Sequence, residues 1–210
     1  MKIGLFGGTF DPPHPAHIRL AEAFYRASDI DLLLVMPTFI PPHKADSATA
    51  ANHRLAMVKR ACLALGERGV CYAVDDYEIA KGGASYTYET VRHLMETYGG
   101  ERVRLCVGSD MLMTFERWRE AEELMQNCVL YTMVRENGEK QTLEDHARML
   151  TQTFGAEVHI MEQNAMVMSS TMIRSALSDG AANGAETLLD SRVAAYIEEN
   201  GLYTGGRASC

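Results

Sequence analysis

Residues 2–17, KIGLFGGTFDPPHPAH, join an apolar run to a loop of unusual composition. The apolar run is short and continuous, which favours a strand buried on both faces, as in a parallel sheet. The loop after it, residues 7–17, holds two glycines, three prolines and two histidines, and we call it the first loop. Pro15 suits the first position of a helix, because its missing N–H needs no partner there. The stretch therefore predicts a strand, a loop and a helix, with His14 as the helix cap and His17 in the first turn.

The alternation of strand and helix continues along the chain. Amphipathic segments near residues 16–27, 53–65, 87–98, 118–126 and 142–154 separate the apolar runs, and two further helices follow from about residue 170. This pattern predicts an α/β fold, a Rossmann-like doubly wound parallel sheet of about six strands with C-terminal helices. We expect a single domain over residues 1–203 and a C-terminal tail over 204–210. The predicted strands are Lys2–Phe6, Asp31–Met36, Val70–Val74, Val103–Val107, Val129–Val134 and Glu157–Met161.

In sheets of this kind, ligands bind beyond the carboxyl ends of the strands, where the winding reverses direction. Gly7 and Gly8 follow the first predicted strand, and GSD, residues 108–110, follows the fourth. In the common strand order 3-2-1-4-5 these two ends are neighbours, so we expect them to meet in one crevice. The connection Pro37–Asn52 is long and polar, and loops of that length are usually functional or mobile.

Composition narrows the class of protein. The chain has 210 residues, of which 47% are hydrophobic and 23% charged, which is typical of a globular protein. The net charge of −8 argues against a general binder of nucleic acid or of anionic membranes. No apolar run approaches the roughly 20 residues of a membrane span, and the N-terminus has no signal-peptide pattern. Five cysteines without a C-x-x-C pair predict reduced, buried thiols in a cytoplasmic protein, including Cys71, Cys106 and Cys128 in apolar runs.

The first loop has features of an anion site. Gly7 and Gly8 allow a ligand to approach the backbone closely, and the N–H groups of Ala16 and His17 lie where a helix N-terminus binds anions. Two other interpretations stay open at this point. The loop could be a proline-rich turn with two solvated histidines. His14 and His17 could also bind a metal, although such a pair usually needs one regular element and a third ligand.

Five stretches in order carry a resemblance to a known family. They are GGTFDPPHPAH (7–17), PPHK (41–44), SYTYET (85–90), GSDML (108–112) and SSTMIR (169–174). The first resembles the G-G-T-F-D-P-x-H-x-G-H signature of nucleotidyltransferases with the H-x-G-H motif, and the nicotinate mononucleotide adenylyltransferases are the most similar group. The resemblance runs from residue 1 to about 203. One position departs from it, since Ala16 stands where the family usually has Gly, and we expect a small effect on nucleotide fit.

The resemblance implies a phosphate site for ATP. Lys44 is a point charge suited to triphosphate oxygens, although most loop lysines are merely solvated. Ser169 or Ser170 can cap the helix that carries Arg174. The serine hydroxyls and the Arg174 guanidinium would together form a phosphate clamp. The alternative is an ordinary capped helix with a surface arginine. A role for His43 stays open. The resemblance assigns catalysis to His14, His17, Lys44 and Arg174, and ATP binding to Gly7, Gly8, Thr9, Phe10, Gly108, Asp110, Arg135, Ser169, Ser170 and Thr171.

A second set of residues is implied to bind nicotinate mononucleotide. In the family, the segment corresponding to SYTYET binds the nicotinate carboxylate, here with Thr87, and an aromatic residue at the position of Trp118 stacks on the pyridine ring. The alternative for Trp118 is a core residue on a helix face, but the charged neighbours in ERWRE favour incomplete burial. A cationic pyridinium would be attracted to its π-face. The full predicted set is Tyr86, Thr87, Trp118 and Arg119.

The reaction implied is adenylyl transfer from ATP to the 5′-phosphate of nicotinate mononucleotide, a step of NAD biosynthesis. Catalysis would rest on alignment and charge neutralisation. Mg²⁺ would be held by phosphates and water rather than by protein ligands. We expect ATP and nicotinate mononucleotide as partners, no nucleic acid and no membrane, with a homo-oligomer left open. Alternatives are phosphopantetheine adenylyltransferase, which shares the first signature but is shorter, a non-catalytic nucleotide sensor, and a metallohydrolase built on the two histidines.

Overall fold

The computed structural model describes residues 1–40, 49–134, 140–161, 168–178 and 188–204. Six strands form one sheet in the order β3-β2-β1-β4-β5-β6. All five neighbouring pairs are parallel, and the reversal of direction lies between β1 and β4. The predicted fold class and strand order are therefore confirmed. The strands are β1 Ile3–Gly8, β2 Leu32–Pro37, β3 Tyr72–Val74, β4 Val103–Cys106, β5 Cys128–Met133 and β6 Glu157–Met161.

Helices connect the strands and cover the sheet. The first begins at Pro15 with His14 as an extended N-cap, as the sequence predicts. The last described helix is capped by the Asp190 carboxylate, which accepts from the backbone N–H of Arg192. The helices are α1 Pro15–Ala27, α2 Ala51–Gly66, α3 Tyr77–Lys81, α4 Thr87–Tyr98, α5 Ser109–Leu112, α6 Ala121–Asn127, α7 Lys140–Phe154, α8 Ser170–Ser178 and α9 Ser191–Glu199, with a 3₁₀ turn at Phe115–Arg117.

The sheet separates two apolar layers, because successive strand residues point to opposite faces. Phe6 packs in one layer and its neighbour Leu5 in the other, and Leu33 and Leu34 are divided in the same way. Both faces are buried, which explains why the strands read as continuous apolar runs. The first layer includes Phe24, Met57, Val58 and Val193, and the second includes Val91, Phe115, Leu124 and Leu143.

Several predicted boundaries are wrong, each for a local reason. The third strand begins at Tyr72 rather than Val70, because the Val70 N–H donates to Leu65 O and closes α2. The helix predicted from residue 118 begins at Ala121, after Glu120 in a left-handed conformation. The short helices α3 and α5 were not predicted, since runs of four or five residues carry too little periodicity.

Two further corrections concern the long connection and the cysteines. The connection predicted as Pro37–Asn52 is shorter, because Pro37 closes β2 and α2 begins at Ala51. Residues 41–48 within it lie outside the described part of the chain. Cys62, Cys106 and Cys128 are buried free thiols, but Cys71 is exposed. It lies just before β3, which is an edge strand of the sheet. Among the described residues, no helix has the length and apolar character to cross a membrane.

Candidate active site

The first loop leaves β1 at its carboxyl end and folds back on itself. Phe10 has a positive φ of 51°, a conformation that few residues other than glycine adopt. Its buried ring packs edge-on against Phe6 and His17, at centroid distances of 5.6 and 5.1 Å. Gly8 makes this possible, because a Cβ there would lie 2.9 Å from the Phe10 ring. Gly7 by contrast is exposed, so its bare backbone faces away from the protein.

The two histidines are fixed by the start of α1. The backbone N–H of His14 donates to His17 Nδ1 at 3.2 Å, and the two rings stack with centroids 3.7 Å apart. In the neutral ring of His17 the proton therefore lies on Nε2 and can be donated outward. The planes of the two stacked rings are inclined to each other by 27°. In-plane lone pairs of stacked rings do not converge on one nearby point, so this geometry does not favour a shared metal ion.

One detail of the anion-site prediction is wrong. The backbone N–H of His17 donates to His14 O at 2.9 Å, because the first turn closes tightly. Of the two predicted backbone donors, only Ala16 remains a candidate.

The start of α8 docks on the first loop. Ser169 Oγ accepts from the Met172 N–H at 3.2 Å, so of the two predicted candidates, Ser169 and Ser170, Ser169 caps the helix. Ser170 donates its hydroxyl to Pro12 O at 2.8 Å. Arg174 donates to Asp11 O at 2.6 Å and to Thr171 Oγ1 at 3.2 Å. The structure therefore brings together the first loop, the two serines and Arg174, although 163 residues separate Arg174 from Asp11 along the chain.

The GSD segment lies beside the first loop. Phe6 pairs with Cys106 across β1 and β4, so the residues that follow each strand emerge at the same edge of the sheet. Gly108 caps the short helix α5, Ser109 is buried and Asp110 is exposed. The carboxyl ends of β1 and β4 are therefore neighbours at the reversal of the sheet, as the strand order predicts, and they bring Gly7, Gly8 and Gly108 to the same edge.

The residues predicted for the nicotinate lie around the start of α4. Tyr86 is the extended N-cap and Thr87 the first helical residue. The Arg119 guanidinium lies over the Tyr86 ring at 4.8 Å and 5.7 Å from the Tyr88 ring. Trp118 is half-buried and packs on Phe115, with ring centroids 4.7 Å apart, which agrees with the expectation of incomplete burial. Lys44, His43 and Arg135 lie outside the described residues.

Sequence reasoning missed a buried polar cluster beneath the first loop. Arg54 on α2 is completely buried, and Asp11 is only 4% exposed. Tyr203, which follows α9, donates its hydroxyl to Asp11 Oδ1 at 2.5 Å. Arg54 could have been found, because it falls on the same face of α2 as the buried residues Met57, Val58 and Ala61. A charged residue on an apolar helix face indicates a specific partner.

The electrostatics of this cluster follow from its burial. Burial lowers the pKa of the Arg54 guanidinium, and the nearby Asp11 carboxylate opposes that shift. Burial, and next the hydrogen bond to Asp11, raises the pKa of Tyr203, so its hydroxyl stays protonated and donates. Burial also raises the pKa of the Cys62 and Cys128 thiols to about 12, which leaves them poor nucleophiles.

Comparison with known proteins assigns the family. Residues 5–176 match the family described as cytidylyltransferase-like. A probable nicotinate-nucleotide adenylyltransferase from Gemmatimonas aurantiaca is 35% identical, over 97% of this chain and 92% of that protein. The nicotinate-nucleotide adenylyltransferase of Bacillus subtilis is 32% identical, over 96% of this chain and 98% of that protein. The chain belongs to the nicotinate-nucleotide adenylyltransferase family. The family resemblance inferred from five short motifs is thereby confirmed.

Solved structures support the fold of this family member. Nicotinic acid mononucleotide adenylyltransferase from Plasmodium falciparum, complexed with APC, matches with a TM-score of 0.75 at 17% identity, over 96% of both chains. The same enzyme complexed with NaAD matches equally well, over 96% of this chain and 97% of that one. A putative nicotinate-nucleotide adenylyltransferase from Vibrio parahaemolyticus matches with a TM-score of 0.66 at 21% identity, over 98% of both chains.

Proposed function

We propose that this protein transfers the adenylyl group of ATP to the 5′-phosphate of nicotinate mononucleotide, giving nicotinate adenine dinucleotide and pyrophosphate. The observation that carries this proposal is the convergence of the first loop, the stacked histidines and the start of α8 at one edge of the sheet, in a chain of this family. The reaction is a nucleotidyl transfer in NAD biosynthesis.

The reaction requires neither a protein nucleophile nor a strong general base. A phosphate oxygen of the mononucleotide attacks the α-phosphorus, the bond to the β-phosphate oxygen breaks, and pyrophosphate leaves with the electron pair. The attacking phosphate is already an anion at neutral pH, so no proton needs to be removed. The protein's task is to align two anions and to stabilise the charge that develops on pyrophosphate.

His17 and Arg174 are suited to that task. The Nε2–H of His17 points away from its Nδ1 contact with His14 and would donate to a phosphate oxygen. Two of the five N–H groups of Arg174 hold Asp11 O and Thr171, and we propose that the others contact the triphosphate. His14 and Lys44 would complete the set of donors. The remaining proposed ATP contacts are Gly7, Gly8, Thr9, Phe10, Gly108, Asp110, Arg135, Ser169, Ser170 and Thr171.

The nicotinate mononucleotide would bind at the start of α4. The helix N-terminus at Thr87 favours a carboxylate, and the half-buried Trp118 offers a ring face to the pyridinium. Tyr86 and Arg119, already in contact with each other, would form the outer wall. Magnesium would enter as the MgATP substrate, bound by phosphate oxygens and water.

We also propose a cytoplasmic location, supported by the three buried free thiols and by relatives that are biosynthetic enzymes. Neither nucleic acid nor a membrane is a proposed partner, which the net charge of −8 supports.

The decisive experiment is product analysis. Purified protein is incubated with ATP, magnesium and either nicotinate or nicotinamide mononucleotide, and the products are separated and weighed by mass spectrometry. We expect nicotinate adenine dinucleotide and pyrophosphate in equal amounts. If folded wild-type protein forms neither dinucleotide, the proposal is contradicted. A His17→Ala variant purified in the same way controls for contaminating enzyme.

A further inference from the structure

The completely buried guanidinium of Arg54 binds three separate stretches of irregular backbone. It donates to Thr9 O at 2.8 Å, to Phe39 O at 2.8 Å and to Thr49 O at 3.2 Å. None of these carbonyls belongs to its own helix. Thr9 lies in the first loop, whereas Phe39 and Thr49 stand in the sequence on either side of the PPHK motif. One side chain on α2 therefore fixes the backbone at three points next to the proposed site.

The segment Thr38–Ile40 extends this connection to the nicotinate side. The Thr38 N–H donates to Gly8 O at 2.9 Å, which ties the segment to the first loop. The Phe39 N–H donates to Ser85 Oγ at 2.9 Å, and the Ser85 N–H donates to Ile40 O at 2.9 Å. Ser85 comes directly before Tyr86 and Thr87. The segment is thus hydrogen-bonded on one side to the proposed ATP loop and on the other to the proposed nicotinate segment.

Buried polar groups on α3 and α4 support the position of Ser85. The Glu78 carboxylate on α3 accepts from Thr90 Oγ1 on α4 at 2.7 Å, and both residues are buried. Burial raises the pKa of Glu78, and hydrogen bonds from Thr90 and Ser85 oppose that shift. Buried hydrogen bonds therefore anchor the proposed nicotinate segment to α3, and its described hydrogen-bonded connection to the first loop runs through Thr38–Ile40.

We propose that Arg54 is a positioning residue that sets the distance between the two substrate-binding segments. It acts through Thr9 on the ATP side and through Phe39 on the nicotinate side, and it contacts neither substrate. The inference rests on the proposed function, because only a reaction that joins two bound anions depends on this distance. Buried charge is unfavourable unless it is paired and hydrogen-bonded, and here three carbonyls accept from Arg54 while the nearby Asp11 carboxylate favours its charged form.

The first test is Arg54→Lys, which keeps the charge but replaces a planar fork by one ammonium group that cannot span three carbonyls. Misplacement of about 1 Å can cost on the order of 10²-fold in rate. We expect kcat to fall by about 10- to 100-fold, while KM for ATP and for nicotinate mononucleotide each change less than about threefold. Arg54→Met, which also removes the charge, should lose at least as much.

The matched control is Arg60→Lys on the same helix. Arg60 donates to Ala56 O within α2 and lies 4.2 Å from the Tyr196 ring, so it holds neither loop. Its kcat should stay within about twofold of wild type. If Arg54→Lys lowers the melting temperature but leaves kcat of the folded protein unchanged, Arg54 has only a structural role and the proposal is wrong. A large rise in one KM with unchanged kcat would instead indicate a direct substrate contact, and would also overturn it.

A measurement on the wild-type protein covers the case in which both Arg54 variants fail to fold. Hydrogen exchange should show the amides of Thr38, Phe39 and Ser85 protected before any substrate is added, since the positioning is built into the free protein. Exchange at the rate of an unstructured chain at these amides would refute the proposal. This outcome is separate from failure of the proposed function, which would appear as absence of dinucleotide product.

Discussion

On the proposed ATP side of the site, polar groups are buried and hydrogen-bonded, whereas on the proposed nicotinate side aromatic rings and arginines meet near the surface. Beneath the first loop, Arg54 and Asp11 are buried, and the partly buried Tyr203 donates its hydroxyl to Asp11. Around α4, Arg119 lies over Tyr86 with its side chain exposed. Buried polar networks hold one geometry, because every alternative leaves a group without a partner. Exposed cation–π contacts contribute about 0.5–1 kcal/mol and rearrange readily.

This difference suggests a division of labour between the two sides. The proposed ATP side would have to align a phosphorus atom for attack, where a small misplacement is costly. The nicotinate side has to recognise a ring and its carboxylate, which contributes to binding and to specificity. Substitutions on the first side should therefore mainly lower kcat, and those on the second should mainly change the choice of substrate.

The largest effect should come from His17→Ala. We expect kcat to fall about 10²–10³-fold, the usual cost of removing one donor that stabilises the transition state. The melting temperature should stay close to that of wild type, because the ring is only partly buried. Steady-state kinetics with saturating ATP and nicotinate mononucleotide measure the effect. Turnover within threefold of wild type would remove His17 from the mechanism.

Arg174→Ala should weaken the use of ATP by about 10- to 100-fold in kcat/KM. A charge-assisted hydrogen bond is worth about 1.5–3 kcal/mol, and each 1.4 kcal/mol corresponds to a factor of ten. Lys44→Ala should act in the same direction, and a double-mutant cycle should show coupling if both residues bind the same triphosphate. The control is Arg192→Ala, since Arg192 pairs with Asp190 and Glu67 away from the site. Strict additivity of the two changes would argue for separate sites.

On the nicotinate side, the enzyme should prefer the acid over the amide of the mononucleotide by at least about tenfold in kcat/KM. The two substrates are nearly isosteric, but a carboxylate only accepts hydrogen bonds, whereas a carboxamide must also donate. If the proposed pocket at Thr87 presents only N–H and hydroxyl donors, the amide NH₂ is left without a partner. The helix N-terminus adds a favourable interaction for the negative charge alone. A ratio near one, at fixed ATP and magnesium, would show that the start of α4 does not set specificity.

Tyr203→Phe should give the smallest effect on activity and a measurable one on stability. The change removes the hydroxyl donated to the buried Asp11 carboxylate, so the free energy of unfolding should fall by about 1.5–3 kcal/mol. Urea denaturation measures this. Tyr196→Phe is the comparison, because that hydroxyl bonds to the part-buried His53 and should cost only about 0.5–1.5 kcal/mol. Equal losses in the two variants would mean that the Asp11 contact is not a strong one.

Most of the fold prediction rested on hydrophobic periodicity and on the order of the motifs. Continuous apolar runs predicted buried parallel strands, and the switch between β1 and β4 followed from the common strand order. The sequence also predicted His14 as the cap of α1 and either Ser169 or Ser170 as the cap of α8, where the structure has Ser169. Both depend on neighbours within four residues, where local geometry decides the hydrogen bonds. The exposure of Cys71 and the start of α6 were missed, because they depend on packing at an edge and on one left-handed residue.

The sequence by itself therefore determined the α/β class, the strand-to-loop glycines and the family, because these are written in short periodic patterns and local motifs. Only the tertiary structure decided which groups support the first loop. Arg54 reaches Thr9 across 45 residues, and Tyr203 reaches Asp11 across 192. Contacts of this kind form when helices close over the edge of a sheet, and they exist because buried polar groups must find partners wherever the folded chain supplies them. No local pattern specifies that partner, so it becomes visible only in the folded chain.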